Sequence, residues 1–289
     1  MKLSVTHETR YEYAYAVEQA HHIAHLKPIA TAQQQVLSHH ISIEPKPAAL
    51  AHSMDSYGQE RVYFELATPH PELRVTAVSV VVTPTLPATM MGKLSHVTLP
   101  ESMPWEAVAE HMQYTGGQTF DAAREFAQSS PLAPVHATFA KYASTVSANA
   151  MPVYELAKAL CHRIYEEFEY SPEATDVSTP PQEALSLKKG VCQDFAQVMI
   201  AGLRSLGLSA RYVSGYLLTQ PPPGKPRLIG ADASHAWVSV YCPSAGWLDF
   251  DPTNDCLAGE SHVTLAYGRD YSDVPPLRGV IRGGGSHEL

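Results

Sequence analysis

The spacing of apolar residues changes twice along this chain, and this change restricts the possible folds more than any other feature. Up to about residue 85, apolar and polar residues alternate, as in TRYEYAY, QQQVLSHHISIEP and ELRVTAVSVVVTP. Such alternation predicts strands with one buried face. Further on, a spacing of three and four residues, as in PVYELAKALCHRIYEEFEY, predicts helices. Strands are predicted again in ARYVSGYLL, SHAWVSVYC and GWLDFDP.

This order of elements favours an α+β fold rather than a doubly wound one. Residues 1–90 are predicted to form an antiparallel β-sandwich, with a tight turn at residues 55–59 (DSYGQ). Residues 91–150 are interpreted as a helical connector, and residues 151–270 as a core of helices packed on an antiparallel sheet. The segment 271–289, rich in Gly, Pro and Arg, is expected to be a C-terminal loop.

Charge and hydropathy exclude several classes of partner. The 289 residues include 20 basic and 29 acidic side chains and carry a formal charge of -9. This leaves no basic footprint for a phosphate backbone, so no nucleic-acid partner is expected. Because the sequence contains neither a signal peptide nor an apolar run of membrane-spanning length, we expect a cytoplasmic protein with no membrane partner.

Cysteine and histidine are the side chains that most often bind metals. The four cysteines are far apart in sequence, which indicates free thiols, and Cys161 is expected in the core of its helix. The histidine-rich segment AHHIAH, with His21, His22 and His25, has no Cys or carboxylate close by in sequence. We therefore predict no metal and no cofactor, and keep a metal-dependent hydrolase as an alternative.

Cys192 lies where a helix is expected to begin. The segment GVCQD runs into FAQVMIAGLRSLGL, which predicts a helix over residues 191–206 that ends at Gly207. Gly190 allows a sharp turn into the helix, and the unpaired N–H groups of a first turn favour an anion. The pattern therefore predicts a reactive thiolate, or alternatively a buried and inert cysteine.

A histidine and two carboxylates follow on one predicted hairpin. His235 lies on the strand SHAWVSVYC, and Asp249 and Asp251 lie on GWLDFDP. If the turn is centred on Pro243, His235 and Asp251 are directly opposite each other on one face. Asp249 shares that face, but Asp251 precedes Pro252 and is therefore biased towards an extended conformation at the strand end. A helix-start Cys, a strand His and a strand Asp together predict nucleophilic catalysis in a cleft between helix and sheet. A surface contact between His and Asp is the alternative.

These residues resemble a known family. GVCQDF, ARYVSGYL, SHAWVSVY and GWLDFDPTND are similar to the transglutaminase-like superfamily, in its bacterial branch of candidate cysteine proteases. HIAHLKPI, ISIEPKP and the turn at residues 55–58 resemble the β-sandwich domain that precedes the core in that branch, with Gln59 in place of the usual Asn and Lys27 in place of the usual Arg.

The resemblance implies a papain-like fold in which Cys192 is the nucleophile, His235 the general base and acid, and Asp251 the residue that orients the His. Animal transglutaminases have a Trp after the nucleophile and another well upstream. Here Gln193 follows Cys192, and there is no Trp between it and Trp105. The resemblance therefore favours hydrolysis of a peptide or protein amide, through an acyl-thioester, over transamidation.

Three further residues near the motif have open roles. Tyr170 is expected either to donate to the oxyanion or to pack at a helix end. Asp194 is expected to have a structural role at the helix start. Trp237 is expected either to form a wall of the cleft or to pack in the core. A non-catalytic binding module that retains the triad for its structure is the remaining alternative function.

Overall fold

The structure is a computed structural model, and it describes residues 1–117, 119–219 and 234–288. The chain divides into two compact units. The first consists of Met1–Pro84, Glu260–Ala266 and Val274–Leu289, and the second of Thr85–Gly259 and Tyr267–Asp273. Among the described residues, no helix is both long and apolar enough to cross a membrane.

The strands are numbered in chain order. They are β1 (Lys2–Ala24), β2 (Gln35–Glu44), β3 (Ala49–Met54), β4 (Glu60–Leu66), β5 (His70–Val82), β6 (Glu169–Tyr170), β7 (Lys189–Gly190), β8 (Ala210–Leu217), β9 (Ser234–Cys242), β10 (Gly246–Asp251), β11 (Cys256–Leu257), β12 (His262–Gly268), β13 (Leu277–Gly283) and β14 (His287–Glu288). The boundary between the two units falls inside β12.

The first unit is built around one antiparallel sheet with the strand order β2-β5-β1-β4-β3, and β13 and β14 also pair with β1. The 23-residue strand β1 belongs to both halves of this sheet. Its residues 2–12 pair with β5, and its residues 20–24 pair with β4. The predicted antiparallel fold is confirmed. The two layers expected of a sandwich are parts of one sheet, because the first half of β1 pairs with β5 and its second half with β4.

The core of the first unit is apolar and lies inside the curled sheet. Alternate residues of β4 and β5 are buried there, as the two-residue period predicts. The buried residues are Val17, Ala20, Ala24, Leu26, Ile43, Val62, Phe64, Leu66, Leu73, Val75 and Ala77. The predicted turn at residues 55–59 also forms, since the carboxylate of Asp55 accepts from the backbone N–H groups of Tyr57 and Gln59 at 2.9 and 2.8 Å.

The loop expected for residues 271–289 is wrong. Residues 277–283 form β13, which pairs with residues 17–24 of β1, and residues 287–288 form β14. The glycines and prolines of this segment have low strand propensity. The segment nevertheless becomes a strand because the second half of β1 offers an unpaired row of backbone N–H and C=O groups.

The second unit contains the helices, which are α1 (Trp105–Met112), α2 (Ala137–Ser144), α3 (Val153–Glu167), α4 (Pro181–Leu187) and α5 (Cys192–Ser205). Short 3-10 helices lie at Ala88–Met90, Leu94–His96, Ala122–Ala127 and Tyr271–Asp273. Within the helical connector expected for residues 91–150, residues 122–127 form only a 3-10 helix, which Asp121 caps by accepting from the N–H of Ala123 at 2.9 Å.

The sheet of the second unit has the strand order β11-β10-β9-β8. Helix α5 packs against β8 and β9, and α3 packs against β9 and β10. The α+β class is therefore confirmed. This packing places the start of α5 and the start of β9 in one layered unit, since both elements share the same core.

Candidate active site

Helix α5 begins at Cys192, one residue later than the sequence predicts. The residue before its N-cap is Gly190, with a φ angle of +152°. A Cβ atom placed at Gly190 would lie 2.8 Å from the carboxyl carbon of Asp194 and 2.9 Å from its Cβ. Glycine is required here for its backbone angle and for the close approach of Asp194.

The carboxylate of Asp194 holds together the backbone before Cys192. Its Oδ2 atom accepts from the N–H of Val191 at 2.8 Å and from the hydroxyl of Thr175 at 2.7 Å. Burial raises the pKa of Asp194, and these two hydrogen bonds oppose that shift. The contacts fix the entry into α5, so that Cys192 occupies a defined first turn.

The backbone N–H groups of that first turn are partly free of helical bonds. The carbonyl of Val191 accepts from the N–H groups of Asp194 and Phe195 at 3.0 and 3.2 Å. Cys192 and Gln193 precede these residues, and the first N–H groups of a helix have no acceptor within it. The N–H groups of Cys192 and Gln193 therefore lie next to the thiol without an acceptor inside the helix.

Asp251 lies at the end of β10 and is completely buried. Its Oδ2 atom is 2.8 Å from Nε2 of His235. Its Oδ1 atom accepts from the backbone N–H of Thr253 at 2.9 Å. The carboxylate is thus fixed on one side by the chain that follows it and faces the imidazole on the other.

The predicted register of this hairpin is wrong, although the pairing of side chains survives. In the structure Gly246 pairs with Cys242 and Phe250 pairs with Val238, so the turn is centred one residue after Pro243. His235 and Asp251 are therefore diagonal neighbours rather than directly opposite. Because the register shift is an even number of residues, both side chains stay on one face, and a diagonal pair lies within reach of an imidazole.

Asp249, the rival carboxylate, binds a different partner. Its Oδ2 atom accepts from the indole N–H of Trp237 at 3.1 Å. Trp237 is fully buried, with its ring centroid 6.0 Å from that of His235. Trp237 therefore packs in the core beside the imidazole and does not form an exposed wall, and Asp251 is the carboxylate that contacts His235.

Cys192 completes a line of hydrogen-bonded side chains with His235 and Asp251. Burial by itself lowers the pKa of His235, but hydrogen bonds to Asp251 and Cys192 and the charges of both groups raise it to about 10. Since Nε2 of His235 faces Asp251, Nδ1 is the ring atom left for the thiol. The structure brings the three residues singled out in the sequence together in one place.

Asn254 is a site residue that the sequence reading missed. Its Nδ2 atom donates to Oδ2 of Asp251 at 2.7 Å and lies 3.4 Å from Nε2 of His235. The signal was present in DPTN, because an Asp commonly accepts hydrogen bonds from the residues two and three positions further on.

Tyr170 lies near the nucleophile, and its role stays open. Its side chain is 54% exposed and its ring centroid lies 6.3 Å from that of Phe195 on α5. Partial burial raises the pKa of Tyr170, and the charge of Cys192 adds to this shift. These contacts suit both packing at the helix end and donation to a bound oxyanion.

The other cysteines have different surroundings. Cys161 is fully buried, which confirms its expected place in the core, and burial raises its pKa well above the ordinary value. Burial also raises the pKa of Cys256 to about 12. All four cysteines are free thiols. Cys192 differs from the others in its hydrogen bond to the imidazole of His235.

The histidines of AHHIAH lie on or directly after β1. His22 is buried and stacked on Phe64 at a centroid distance of 5.0 Å, and Nδ1 of His21 lies 2.7 Å from the hydroxyl of Tyr63. The described residues bring no three possible ligand atoms of this segment within 4.8 Å of one another.

The chain matches two family models. The model of the transglutaminase-like superfamily matches residues 140–252, and the model of the bacterial transglutaminase-like N-terminal region matches residues 3–82. An uncharacterized protein of Mycobacterium bovis is 39% identical over 282 residues, covering 96% of this chain and 86% of that protein. A protein-glutamine gamma-glutamyltransferase of Pseudomonas aeruginosa is 34% identical over 109 residues, which cover 37% of this chain and 16% of that protein.

Among solved structures, a candidate cysteine protease from Cytophaga hutchinsonii is similar over 100% of this chain and 87% of its own, with a TM-score of 0.73 and 19% identity. At this level of identity the likeness shows a shared fold. The two family models show that the chain belongs to the transglutaminase-like superfamily, in the bacterial branch whose core is preceded by its own N-terminal region.

Proposed function

We propose that this protein is a thiol enzyme that acts on peptide-like amide bonds through an acyl-thioester on Cys192. The observation that carries the proposal is the hydrogen-bonded line from Cys192 through His235 to the buried carboxylate of Asp251. In this line Cys192 is the nucleophile, His235 the general base and acid, and Asp251 the residue that orients the imidazole.

The first half of the reaction forms the thioester. His235 takes the proton of Cys192, and the sulfur attacks the carbonyl carbon. The π electrons of the C=O bond then move to the carbonyl oxygen, which becomes the oxyanion. The N–H of Cys192 is the first donor proposed for this oxyanion, with Gln193 or Tyr170 as the second. When the C–N bond breaks, His235 returns its proton to the departing amine or ammonia.

The second half releases the acyl group. His235 takes a proton from water, the new C–O bond forms, and the C–S bond breaks to restore the Cys192 sulfur. If an amine replaces water, the same steps transfer the acyl group instead. We favour hydrolysis, because Gln193 stands where a Trp follows the nucleophile in animal transglutaminases and no Trp lies between Trp105 and Cys192.

The proposed substrate is a peptide or protein amide, and the names of two similar proteins support this class. One is a protein-glutamine gamma-glutamyltransferase and the other a candidate cysteine protease, and both act on amides of polypeptides by name. Four free thiols also fit a reducing compartment, so we propose a cytoplasmic enzyme.

The alkylation rate of Cys192 tests the proposed chemistry. The protein is treated with iodoacetamide at pH 6.5, and each cysteine is followed by mass spectrometry. Because a thiolate paired with an imidazolium reacts faster than a thiol, we expect Cys192 to react at least about ten times faster than Cys161, Cys242 and Cys256. His235→Gln should remove most of this difference.

Equal reactivity of the four cysteines would favour the alternative function, a binding module that retains the three residues for structure. The choice between hydrolysis and transfer needs a second measurement. A glutamine peptide is incubated with the protein and a labelled primary amine, and we expect release of ammonia with little label in the product. Efficient incorporation of the label would overturn the preference for hydrolysis.

A further inference from the structure

The connector of residues 91–150 contacts the chain next to the candidate site. Its Lys93 forms an antiparallel backbone bridge with Cys256. Cys256 directly follows a turn at residues 252–255, and this turn follows β10, the strand that ends at Asp251. The connector therefore reaches the turn behind the carboxylate that contacts the imidazole.

This turn supplies hydrogen-bond donors to both oxygens of Asp251. The backbone N–H groups of Thr253 and Asn254 donate to Oδ1 at 2.9 and 3.2 Å, and Nδ2 of Asn254 donates to Oδ2 at 2.7 Å. The same Oδ2 atom lies 2.8 Å from Nε2 of His235. A buried carboxylate stays charged only where such donors compensate for the lost water. The position of the turn therefore affects how Asp251 meets the imidazole.

Lys93 holds this turn from the outside. Its Nζ atom donates to the backbone carbonyl of Asn254 at 3.0 Å and lies 3.8 Å from the centroid of the Tyr165 ring on α3. One exposed contact of a lysine contributes little, but a carbonyl bond and a cation–π contact together restrain the ammonium. Asn254 is thus held at its carbonyl by Lys93, while its side chain holds Asp251. Neither Lys93 nor Asn254 lies in the regions that the family models match.

The charge of Lys93 lies close to two buried carboxylates. Asp251 and Asp255 are both buried, and Oδ2 of Asp255 lies 3.2 Å from Nδ1 of His162. Burial raises the pKa of the Cys256 thiol, the charges of the two aspartates add to this shift, and the charge of Lys93 opposes it. The thiol therefore senses the ammonium and both carboxylates, which shows that the three charges lie around one short segment.

We propose that Lys93 is a positioning residue for the candidate active site and that it acts through Asn254. By fixing the carbonyl of Asn254, Lys93 keeps Nδ2 of that residue on the carboxylate of Asp251, which holds His235. The inference rests on the function proposed for Cys192. A well-held imidazole is stabilised in its protonated form, and the imidazolium in turn stabilises the Cys192 thiolate. Loss of the Lys93 ammonium therefore raises the pH at which the thiolate forms.

The pH profile of Cys192 alkylation tests this role. The rate with iodoacetamide is followed by mass spectrometry from acid to alkaline pH in the full-length protein. Lys93→Met removes the ammonium and keeps an unbranched side chain. We expect the acid limb of its profile to move up by at least about 0.5 pH unit, so that the rate on that limb falls at least about threefold. Lys93→Arg keeps both contacts and should restore the wild-type profile.

A second lysine provides the matched control. Nζ of Lys158 on α3 also donates to a backbone carbonyl, that of Val97 at 3.1 Å, which lies outside the turn. Lys158→Met makes the same change of charge, and we expect it to move the acid limb by less than about 0.2 pH unit. Urea denaturation of both variants separates positioning from stability, since their unfolding free energies should be similar. Equal shifts of the acid limb in the two variants would assign the effect to net charge and contradict the proposal.

A double-mutant cycle tests whether Lys93 acts through Asn254. Asn254→Ala removes Nδ2 but keeps the carbonyl that Lys93 binds. We expect Lys93→Met to shift the acid limb by less than about 0.2 pH unit further when Asn254→Ala is already present. Shifts that simply add would overturn the proposed route.

The wild-type protein separates this inference from the function on which it rests. If wild-type Cys192 reacts no faster than the other cysteines, the proposed function is wrong and the inference fails with it. If wild-type Cys192 is selectively reactive and Lys93→Met has the same pH profile, only the role of Lys93 is wrong.

Discussion

At the scale of single residues, two aspartates on one strand have separate tasks. Asp249 and Asp251 lie on the same face of β10 and both accept a hydrogen bond from a ring nitrogen. Asp251 bonds to His235, and Asp249 bonds to the buried indole of Trp237. The alternation of the strand places both residues correctly, but which of them contacts His235 depends on the register of the hairpin.

Replacing these aspartates separates the two tasks. Asp251→Asn keeps the shape of the side chain but removes the charge that holds the imidazole, so we expect the alkylation rate of Cys192 at pH 6.5 and any amidase activity to fall by about 10² to 10⁴. Asp249→Asn keeps an acceptor for Trp237, and we expect less than a threefold change. Similar losses in the two variants would contradict the role proposed for Asp251.

At the scale of elements, the start of α5 is the segment that determines where the thiol lies. Gly190, Val191 and Asp194 form a compact entry in which the carboxylate bonds to the backbone of Val191. A helix start of this kind is readable from the sequence, because a glycine before an apolar stripe and an acidic residue in the first turn are both helix-start signals.

Gly190→Ala should disturb this entry. The new Cβ would approach the Asp194 carboxylate too closely, and a φ of +152° is strained for alanine. We expect a loss of about 3 kcal/mol in the free energy of unfolding, measured by urea denaturation, and slower alkylation of Cys192.

Gly116→Ala is the matched control, because a Cβ there meets no atom within 4 Å. It should change the unfolding free energy by less than about 0.5 kcal/mol. If Gly190→Ala is as stable and as reactive as this control, the entry into α5 is not set by Asp194.

Elements were predictable where the pattern was strong. The helices α3 and α5 and the strands β8, β9 and β10 lie within a few residues of their predicted positions. Within the helical connector expected for residues 91–150, residues 122–127 form only a 3-10 helix, and the strand β13 was missed, since short or low-propensity segments take their conformation from the elements that they contact.

At the scale of the whole molecule, one histidine in each unit affects the pH dependence of stability, and the two act in opposite directions. Burial, together with the smaller effects of the charges of His70 and His21, lowers the pKa of His22 to about 4. In the second unit, the pKa of His235 is raised to about 10. An unfolded histidine titrates near 6.5.

The linkage between protonation and folding gives the direction in which each histidine changes the stability with pH. Between pH 6.5 and 4 the unfolded chain binds a proton that buried His22 does not, so the stability of the first unit falls as the pH falls. Between pH 6.5 and 10 native His235 holds a proton that the unfolded chain has lost. Its contribution is complete below pH 6.5 and disappears as the pH rises to 10.

The two trends can be measured separately. All three tryptophans, at positions 105, 237 and 247, belong to the second unit. Urea denaturation followed by tryptophan fluorescence should therefore show the loss of unfolding free energy at alkaline pH, and His235→Gln should reduce this dependence on pH. Urea denaturation followed by far-UV circular dichroism should show the loss of stability at acid pH, and His22→Leu should reduce this dependence on pH. Unchanged slopes in these variants would assign the pH dependence to other groups.

The order of most elements, the fold class and the three residues of the candidate site could be predicted from the sequence, because hydrophobic period, helix-start signals and family motifs are local properties of the chain. The tertiary structure was needed for the hairpin register, the hydrogen bond from Trp237 to Asp249, the part played by Asn254 and the strand formed by residues 277–283. Each of these depends on which backbone groups and side chains meet across long separations in sequence.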